Sequence, residues 1–398
     1  MRLPDASWRK RTGMPRLLRT LGAGDGETRF VGGCVRDTLL GLPVSDVDLA
    51  TRLAPDEVAK RLAKAGIKAV PTGIAHGTIT AVIGGAPVEV TTLRRDVTTD
   101  GRRATIAYTD DWKEDAARRD FTINALSADP ATHEVFDYFG GAADLEARRV
   151  RFIGDALTRI AEDHLRILRF FRFHARFGTG APDADGLAAC VARANDLMAL
   201  SRERIADELI KLLALPAPAE TAALMVERGV LRPVLPEIVD AGPLARLVGR
   251  EAEAGVAPGP VRRLAALLPP DPEVAAAVAA RLRLSKRAAK RLASAAIPDD
   301  GGDPAVLAYR IGREEAVDRI LLGPRDVRVV QALGEWERPR LKLGGGDLIA
   351  MGLSAGPEVA RTLQAVERAW GAAGFPADAE AQRTLARAAV DQALRARQ

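Results

Sequence analysis

The sequence DVDLAT at residues 46–51 sets two acidic side chains in an otherwise apolar run, and this alternation limits how the segment can fold. Successive side chains of a β-strand point to opposite faces, so residues two positions apart share a face. In a strand, Asp46 and Asp48 therefore project together, while Val47 and Leu49 enter the core. The pattern predicts a strand with two carboxylates on its polar face.

Two neighbouring carboxylates repel each other unless a cation lies between them. Oxygen ligands suit hard divalent ions, and enzymes commonly bind Mg²⁺ through one or two carboxylates together with substrate phosphates. Asp46 and Asp48 are therefore candidate metal ligands. The alternative is an aspartate that caps a turn, because PVSDVDLAT also contains residues typical of turns.

A pair of glycines lies just upstream, in FVGGCVRDTLLG at residues 30–41. Gly32 and Gly33 follow a strand-like piece and precede a helix, which places backbone N–H groups where they can hold a phosphate. Arg36 can add a bidentate contact to the same anion. By itself a Gly-Gly pair is more often only a turn, but with the two aspartates it describes a triphosphate held against metal.

The hydrophobic pattern changes along the chain. Residues 29–31 read as a strand, residues 35–40 as a helix, and GTITAVIGGAPVEVTTLR at 77–94 as two strands joined by a Gly-Gly turn. After about residue 151, alanine, leucine and arginine recur at helical spacing. We expect an α+β fold in which a small domain with a mixed or antiparallel sheet precedes an all-helical remainder.

The composition suits a folded protein of a reducing compartment. The chain has 398 residues and a formal net charge of +5, which allows several domains and a polyanionic partner. Its two cysteines, Cys34 and Cys190, argue against a disulfide framework, and with four histidines they make a structural zinc site unexpected. No signal peptide or apolar run of spanning length is evident, so we expect a cytoplasmic protein without a membrane segment.

The stretch FVGGCVRDTLLGLPVSDVDLAT resembles the motif of class II tRNA nucleotidyltransferases and bacterial poly(A) polymerases, of the DNA polymerase β-like superfamily. Further segments match that family in its order: VEVTTLRRD (88–96), RRDFTINALS (118–127), DYFGGAADLEARRVRFIGD (137–155), EDHLRILRFFRF (162–173) and SRERIADELIKLL (201–213). The resemblance implies a catalytic head at residues 1–150, a helical neck with base recognition at 151–215, a body at 216–300 and an RNA-binding tail at 301–398.

The reaction that this resemblance implies is nucleotidyl transfer. A primer 3′-hydroxyl attacks the α-phosphorus of a nucleoside triphosphate, and two Mg²⁺ ions stabilise the attacking and leaving oxygens. Asp46 and Asp48 are then metal ligands, and Glu89 is the candidate third carboxylate, because it alternates with Val88 and Val90 on a predicted strand. The alternative for Glu89 is an exposed polar residue of an alternating strand.

The segment RRDFTINA is predicted to begin a helix with Asp120 and Asn124 on one face. The family resemblance implies that Arg119, Asp120 and Asn124 lie near the ribose and phosphates of the nucleotide. The alternative is that Asp120 only caps the helix.

The segment EDHLRILRFFRF carries Asp163, Arg166, Arg169 and Arg172 every three residues, so we expect them to wind around one helix. Cytosine and adenine both present an amino donor beside a ring-nitrogen acceptor. An ionised aspartate only accepts and an arginine only donates, so Asp163 with Arg166 fits C and A and leaves unpaired groups against U and G. The resemblance supports this assignment, with Arg169 and Arg172 reaching the ribose, the phosphates or the pair itself.

A basic helix is predicted within RLRLSKRAAKRLASAA, with Ser285 as a possible N-cap. Lys286 with Lys290, and Arg287 with Arg291, are four apart and lie on one face. This face is either solvated or tracks RNA phosphates.

The leading hypothesis is the template-independent addition of CCA to the 3′ end of tRNA from CTP and ATP. Poly(A) polymerase and A-adding activity are the alternatives within the family, and a non-catalytic RNA-binding protein is the alternative of another class. We expect tRNA, CTP and ATP as partners, and predict no protein partner. None of the four histidines is followed by aspartate, so we expect no HD phosphohydrolase activity.

Overall fold

The computed structural model describes residues 1–73, 77–99 and 104–396. Contacts between backbone positions divide the chain into two compact units, Met1–Pro236 (unit 1) and Glu237–Gln398 (unit 2). Within the described ranges, no helix is both long enough and apolar enough to cross a membrane.

Unit 1 contains the sheet. Its strands are β1 (Thr28–Val31), β2 (Asp48–Thr51), β3 (Lys68–Gly73), β4 (Thr78–Ile83), β5 (Ala86–Thr92), β6 (Arg94–Thr99), β7 (Ala104–Tyr108), β8 (Ser127–Ala128) and β9 (Val135–Phe136). Seven of them form one sheet in the order β3-β4-β5-β2-β1-β8-β9, and β6 and β7 form a separate two-stranded antiparallel sheet. Strands β2 and β5 are parallel and the other pairs in the sheet are antiparallel, so the predicted mixed sheet is confirmed.

The turn between β4 and β5 follows the sequence signal for it. Gly84 and Gly85 both have positive φ angles, of 54° and 78°, which L-residues with side chains rarely adopt. Positive φ at both central residues is the requirement of the two-residue turns that join twisted antiparallel strands. The predicted strand pair at residues 77–94 is therefore present as β4 and β5.

Ten helices of unit 1 precede the strands in sequence, lie between them or follow them within its described residues. They are α1 (Met14–Thr20), α2 (Gly33–Leu39), α3 (Pro55–Lys64), α4 (Trp112–Ala117), α5 (Gly141–Glu146), α6 (Ala156–Glu162), α7 (Arg166–Phe177), α8 (Ala184–Ala192), α9 (Arg202–Leu213) and α10 (Ala219–Glu227). Helix α6 begins at an N-cap, since the Asp155 carboxylate accepts the Thr158 N–H at 2.7 Å.

An aromatic cluster joins α7 to the chain segments around Phe121 and Phe152. The rings of Phe121 and Phe152 lie 5.0 Å apart, and Phe152 stacks on Phe170 of α7 at 5.5 Å. Phe121 also contacts Phe173 at 5.2 Å. Because Phe121, Phe152 and Phe170 are almost fully buried, α7 is fixed against the chain that carries Asp120.

The described residues of unit 2 form helices and their connecting loops, with no β-strand among them. Its helices are α11 (Gly242–Glu253), α12 (Pro260–Leu267), α13 (Pro272–Arg281), α14 (Lys286–Ala295), α15 (Pro304–Ile311), α16 (Arg313–Leu322), α17 (Arg328–Ala332), α18 (Gly345–Ala350), α19 (Pro357–Ala372) and α20 (Ala379–Arg395). The α+β expectation with a helical remainder is thus confirmed, while the boundaries of neck, body and tail at 151, 216 and 301 stay predictions.

A buried ion network holds four helices of unit 2 together. Arg262 of α12 donates to Glu251 of α11 at 2.8 Å and to Asp318 of α16 at 2.9 Å. Arg263 donates to the other oxygen of Glu251 at 2.7 Å, and Arg291 of α14 donates to Asp318. Since Glu251, Arg262 and Asp318 are almost inaccessible to solvent, each charge depends on its partners.

We predict that Arg262→Met strongly destabilises unit 2, because it leaves Glu251 and Asp318 buried with fewer partners. Removing one member of a buried pair typically costs about 3–5 kcal/mol of the free energy of unfolding. Urea unfolding followed by circular dichroism measures the loss. Arg287→Met is the matched control, since Arg287 pairs with Glu314 on the surface. Equal midpoints for the two variants would contradict a stabilising role of the buried network.

Candidate active site

Two neighbouring inner strands of the sheet place two of the predicted carboxylates side by side. Strand β2 begins at Asp48, and its direct neighbour on the parallel strand β5 is Glu89. Val47 and Leu49 are buried, while Asp46 is exposed just before the strand and Asp48 is partly accessible. The predicted alternation is therefore present, although Asp46 belongs to the connection that leads into β2.

The carboxylates influence one another electrostatically. Burial raises the pKa of Asp48 to about 6; the charges of Glu89 and Asp46 raise it too, and Arg119 opposes them. Within the part of the chain that the structure describes, no three such side chains are arranged to hold a metal ion. The donors are nevertheless all oxygens, and a bound cation would offset both the burial of the Asp48 charge and its repulsion by Glu89 and Asp46, so these carboxylates fit Mg²⁺.

The two glycines form a tight connection between β1 and α2. Gly32 has φ +69°, a backbone angle at which a side chain is strained, and a Cβ atom there would lie 2.9 Å from an Nη atom of Arg119, which would have to shift. The Gly32 N–H donates to the Leu126 carbonyl at 2.9 Å. This amide is consequently engaged within the sheet, and the predicted phosphate contact at the turn rests on Gly33 and its surroundings.

Arg36 is buried and takes part in a network of contacts with Asp37, Asn124 and Phe177. Its guanidinium donates to Asp37 at 2.8 Å and to the side-chain oxygen of Asn124, and it lies over the ring of Phe177 at 4.2 Å. Burial lowers the pKa of Arg36, and Asp37 counteracts this effect. The structure therefore shows Arg36 fixing α2 against Asn124, and its predicted bidentate contact with phosphate stays a prediction.

The carboxylate of Asp120 is fully used inside the protein. One oxygen accepts the Phe121 N–H at 2.8 Å and the Asn124 side-chain amide at 2.9 Å. The other accepts Nε and Nη2 of Arg169, at 2.8 and 2.5 Å. Burial raises the pKa of Asp120, but Arg169 and Asn124 outweigh it and hold the pKa below its ordinary value.

The prediction that a helix begins within RRDFTINA is wrong. Helix α4 ends at Ala117, and only the short 3₁₀ segment Thr122–Asn124 follows. The Arg169 ion pair and the burial of Phe121 hold Asp120 in the connection between them. Asp120 and Asn124 still meet, through a hydrogen bond rather than a shared helix face.

Asp163 also lies outside the helix in which it was expected. Helix α6 ends at Glu162, Asp163 has extended backbone angles, and α7 begins at Arg166. One carboxylate oxygen accepts the Leu165 N–H at 3.1 Å, and the other accepts Nη2 of Arg204 at 2.8 Å. Each oxygen retains a lone pair for a further donor.

Arg166 is anchored by three acceptors. Nη1 donates to the Arg159 carbonyl at 2.7 Å and to Glu162, and Nη2 donates to the Arg118 carbonyl at 3.1 Å. Among the described residues these are its hydrogen bonds, which leaves Nε–H and one Nη2–H to donate. Asp163 and Arg166 do not pair with each other; each is fixed separately.

The last two arginines of the predicted series share a buried acid. Glu208 of α9 accepts Nε of Arg172 at 2.5 Å and lies 3.6 Å from Nη1 of Arg169. Arg169 thus bridges Asp120 and Glu208. Arg172 packs between α7 and α9 and does not line the cleft described next.

A cleft of about 610 Å³ joins these groups. Of the predicted residues, it is lined by Gly32, Gly33, Arg36, Asp46, Asp48, Arg119, Asp120, Asn124, Asp163, Arg166 and Arg169. Five lining residues were not predicted: Asp37, Ser45, Arg118, Phe173 and Arg176. Arg118 adjoins a predicted residue and Arg176 continues the arginine series of α7, so both carried a signal in the sequence.

The basic face predicted in the helical half lies on α14 of unit 2. Ser285 caps this helix, since its hydroxyl accepts the Ala288 N–H at 3.2 Å. Lys286, Arg287 and Lys290 are exposed, and Arg287 pairs with Glu314. Arg291 instead belongs to the buried network through Asp318.

Comparisons with protein families match two parts of the chain. Residues 28–151 match the family described as the Poly A polymerase head domain. Residues 182–241 match the family described as a probable RNA and SrmB-binding site of polymerase A.

Whole proteins and solved structures resemble this chain over a larger share of its length than the two family matches do. The mouse protein named CCA tRNA nucleotidyltransferase 1, mitochondrial, is 34% identical over 91% of this chain and 87% of its own length. The CCA-adding enzyme of Geobacillus thermodenitrificans is 39% identical over 57% of this chain and 55% of its own. The crystal structure of the Bacillus stearothermophilus CCA-adding enzyme in complex with CTP superposes with a TM-score of 0.74 at 27% identity, over 93% of this chain and 95% of that one.

We predict that Asp48→Asn stabilises the metal-free protein at high pH. In the folded chain the pKa of Asp48 is about 6, above its ordinary value of 3.8, so the stability cost of ionising Asp48 builds up between about pH 4 and pH 6 and is complete above pH 6. The gain at pH 8 has an upper limit of about 3 kcal/mol, and it vanishes below about pH 4. Thermal unfolding in EDTA measures it.

Asp56→Asn, in an exposed turn of α3, is the matched control and should change nothing. Addition of Mg²⁺ should narrow the gap by stabilising the wild type alone. A wild type as stable at pH 8 as Asp48→Asn, in the absence of metal, would contradict the inferred cost of ionising Asp48 in the folded chain.

Proposed function

Since the chain belongs to the family of CCA-adding tRNA nucleotidyltransferases, we propose that it adds C, C and A to the 3′ end of tRNA from CTP and ATP. One observation carries this proposal: a single cleft is lined by the Asp46 and Asp48 carboxylates and by Asp163 with Arg166. The first pair supplies the chemistry of transfer and the second the choice of base.

Asp46 and Asp48 would hold Mg²⁺, with Glu89 beside Asp48 as the third carboxylate. Bound Mg²⁺, two ions in this proposal, supplies positive charge where the attacking and leaving oxygens become negative. The raised pKa of Asp48 supports the assignment, because a carboxylate that is partly buried and lies close to the charges of Glu89 and Asp46 gains when a cation binds beside it.

The cleft residues bind and orient the two substrates. The 3′-hydroxyl of the tRNA attacks the α-phosphorus of the triphosphate, a new phosphodiester bond forms, and pyrophosphate leaves. Arg119 and Arg169 face the cleft, where their guanidinium groups can donate to phosphate or ribose oxygens. Because the four acceptor positions of Asp120 are filled, we assign Asp120 to hold Arg169 and Asn124 rather than to accept from the ribose.

Asp163 and Arg166 would read the base. Asp163 retains acceptor positions for the amino group of C or A, and Arg166 retains donors for the adjacent ring nitrogen. Arg204 and Glu162 fix the two side chains independently, so the pair is held in place before the nucleotide arrives.

The exposed cations of α14 support contact with tRNA. Lys286, Arg287 and Lys290 can follow RNA phosphates, whereas Arg291 serves the buried network. The location in the cytoplasm belongs to the same proposal and is supported by the two free, buried cysteines.

We predict that the protein, given tRNA without its terminal nucleotides, incorporates C, C and then A, and no U or G. Asp46→Ala and Asp48→Ala should lower kcat by at least about a hundredfold. Without these carboxylates, the Mg²⁺ that would stabilise the negative charge on the attacking and leaving oxygens is no longer held. Labelled triphosphates and denaturing gels measure incorporation, and a gel shift should show that tRNA binding is retained.

Asp56→Ala is the matched control and should keep full activity. Unlimited addition of A would instead identify a poly(A) polymerase, and A added only to tRNA that already ends in CC an A-adding enzyme. Loss of tRNA binding in parallel with activity would contradict the division of roles.

We predict that Asp163→Ala and Arg166→Ala lower the preference for CTP and ATP over UTP and GTP by about 10- to 100-fold. The reason is that the unpaired groups that penalise U and G are removed. The measured quantity is the ratio of kcat/KM values for the four triphosphates. Arg202→Gln, at the start of α9 and outside the cleft lining, is the control. An unchanged ratio in both cleft variants would refute the template assignment.

A further inference from the structure

An arginine in the last turn of α7 faces the cleft with little to hold it. Arg176 exposes 40% of its side chain, the largest fraction among the six arginines that line the cleft. Its ion-pair partner is Asp37, at 3.5 Å, and its guanidinium lies 4.9 Å from the centre of the Phe177 ring. A contact of this length leaves most of the donors of Arg176 available in the cleft.

The partner of Arg176 is already neutralised. Asp37 accepts Nε of Arg36 at 2.8 Å and lies 2.7 Å from Nη2 of the same side chain. One carboxylate therefore stands between two guanidinium groups, and this corner of the cleft carries one positive charge in excess. Of the two cations, Arg36 is buried and Arg176 is the one that an anion can reach.

The position of Arg176 along α7 points to the anion. Ten residues separate it from Arg166, which corresponds to about 15 Å along a helix axis. With the base read at the Arg166 end, Arg176 marks the part of the cleft remote from the base. The remaining groups of a nucleotide or of an RNA end are ribose and phosphate, and a planar guanidinium matches the oxygens of a phosphate.

We propose that Arg176 binds a phosphate group in the cleft during nucleotide addition. The inference rests on the proposed function, and it adds a substrate contact beyond the carboxylates and the base-reading pair. The phosphate belongs either to the triphosphate of the incoming nucleotide or to the backbone at the 3′ end of the tRNA, and the two sources differ in the substrate whose binding weakens.

The test compares Arg176→Gln with the wild type in steady-state kinetics, varying CTP, ATP and tRNA separately. We expect KM to rise about tenfold or more for one class of substrate, since a charge-assisted hydrogen bond is lost. A rise for CTP and ATP assigns the phosphate to the triphosphate, and a rise for tRNA alone assigns it to the primer. Arg176→Lys, which keeps the charge, should restore part of the affinity.

Arg193→Gln is the matched control, because Arg193 is similarly exposed, pairs with an aspartate and lies outside the cleft. KM values within twofold of the wild type for all three substrates, or a fall in kcat alone, would overturn the proposal. Calorimetric titration with CTP and filter binding of tRNA separate this result from the proposed function. If Arg176→Gln binds a substrate more weakly but the wild type incorporates no nucleotide, CCA addition is refuted and phosphate binding by Arg176 is retained. If the wild type binds neither CTP nor tRNA, both proposals are refuted.

Discussion

The parallel pairing of β2 with β5 is the contact on which the site depends. It places Asp48 beside Glu89, although forty residues of chain, including α3, β3 and β4, separate them. The register is fixed from the other face, where Val47, Leu49 and Val90 are buried. A slip by one residue would bury the carboxylates and expose the apolar side chains, so the core that stabilises the sheet also aligns the acids.

A second principle organises the opposite wall of the cleft, where arginines are held by acids from other elements. Arg169 lies between Asp120 and Glu208, and Arg166 is fixed by Glu162 and two carbonyl groups. Long side chains lose conformational freedom when they bind a ligand, and these have lost much of it beforehand. The ion pairs therefore reduce the entropic cost of binding as well as supplying charge.

Those parts of the site that depend on local periodicity can be predicted from the sequence. The alternation around Asp48 and the turn at Gly84 were predictable, because each follows from side-chain direction or backbone angle within a few residues. The irregular backbone at Asp120 and Asp163 was not, since it depends on partners such as Arg169 and Arg204 from distant elements. Helical spacing predicts the structure of one element at a time and does not predict ion pairs between distant elements.

The ion pair between Asp37 and Arg176 joins two residues of the cleft lining that are 139 positions apart in the sequence. Native contacts between such distant residues form slowly, because closing the long intervening loop costs conformational entropy before the contact can stabilise the fold. On the ribosome, the strands that carry the carboxylates emerge well before α7 does. Substrate binding in the complete cleft is thus a late acquisition of the growing chain, gained only after synthesis has passed residue 177.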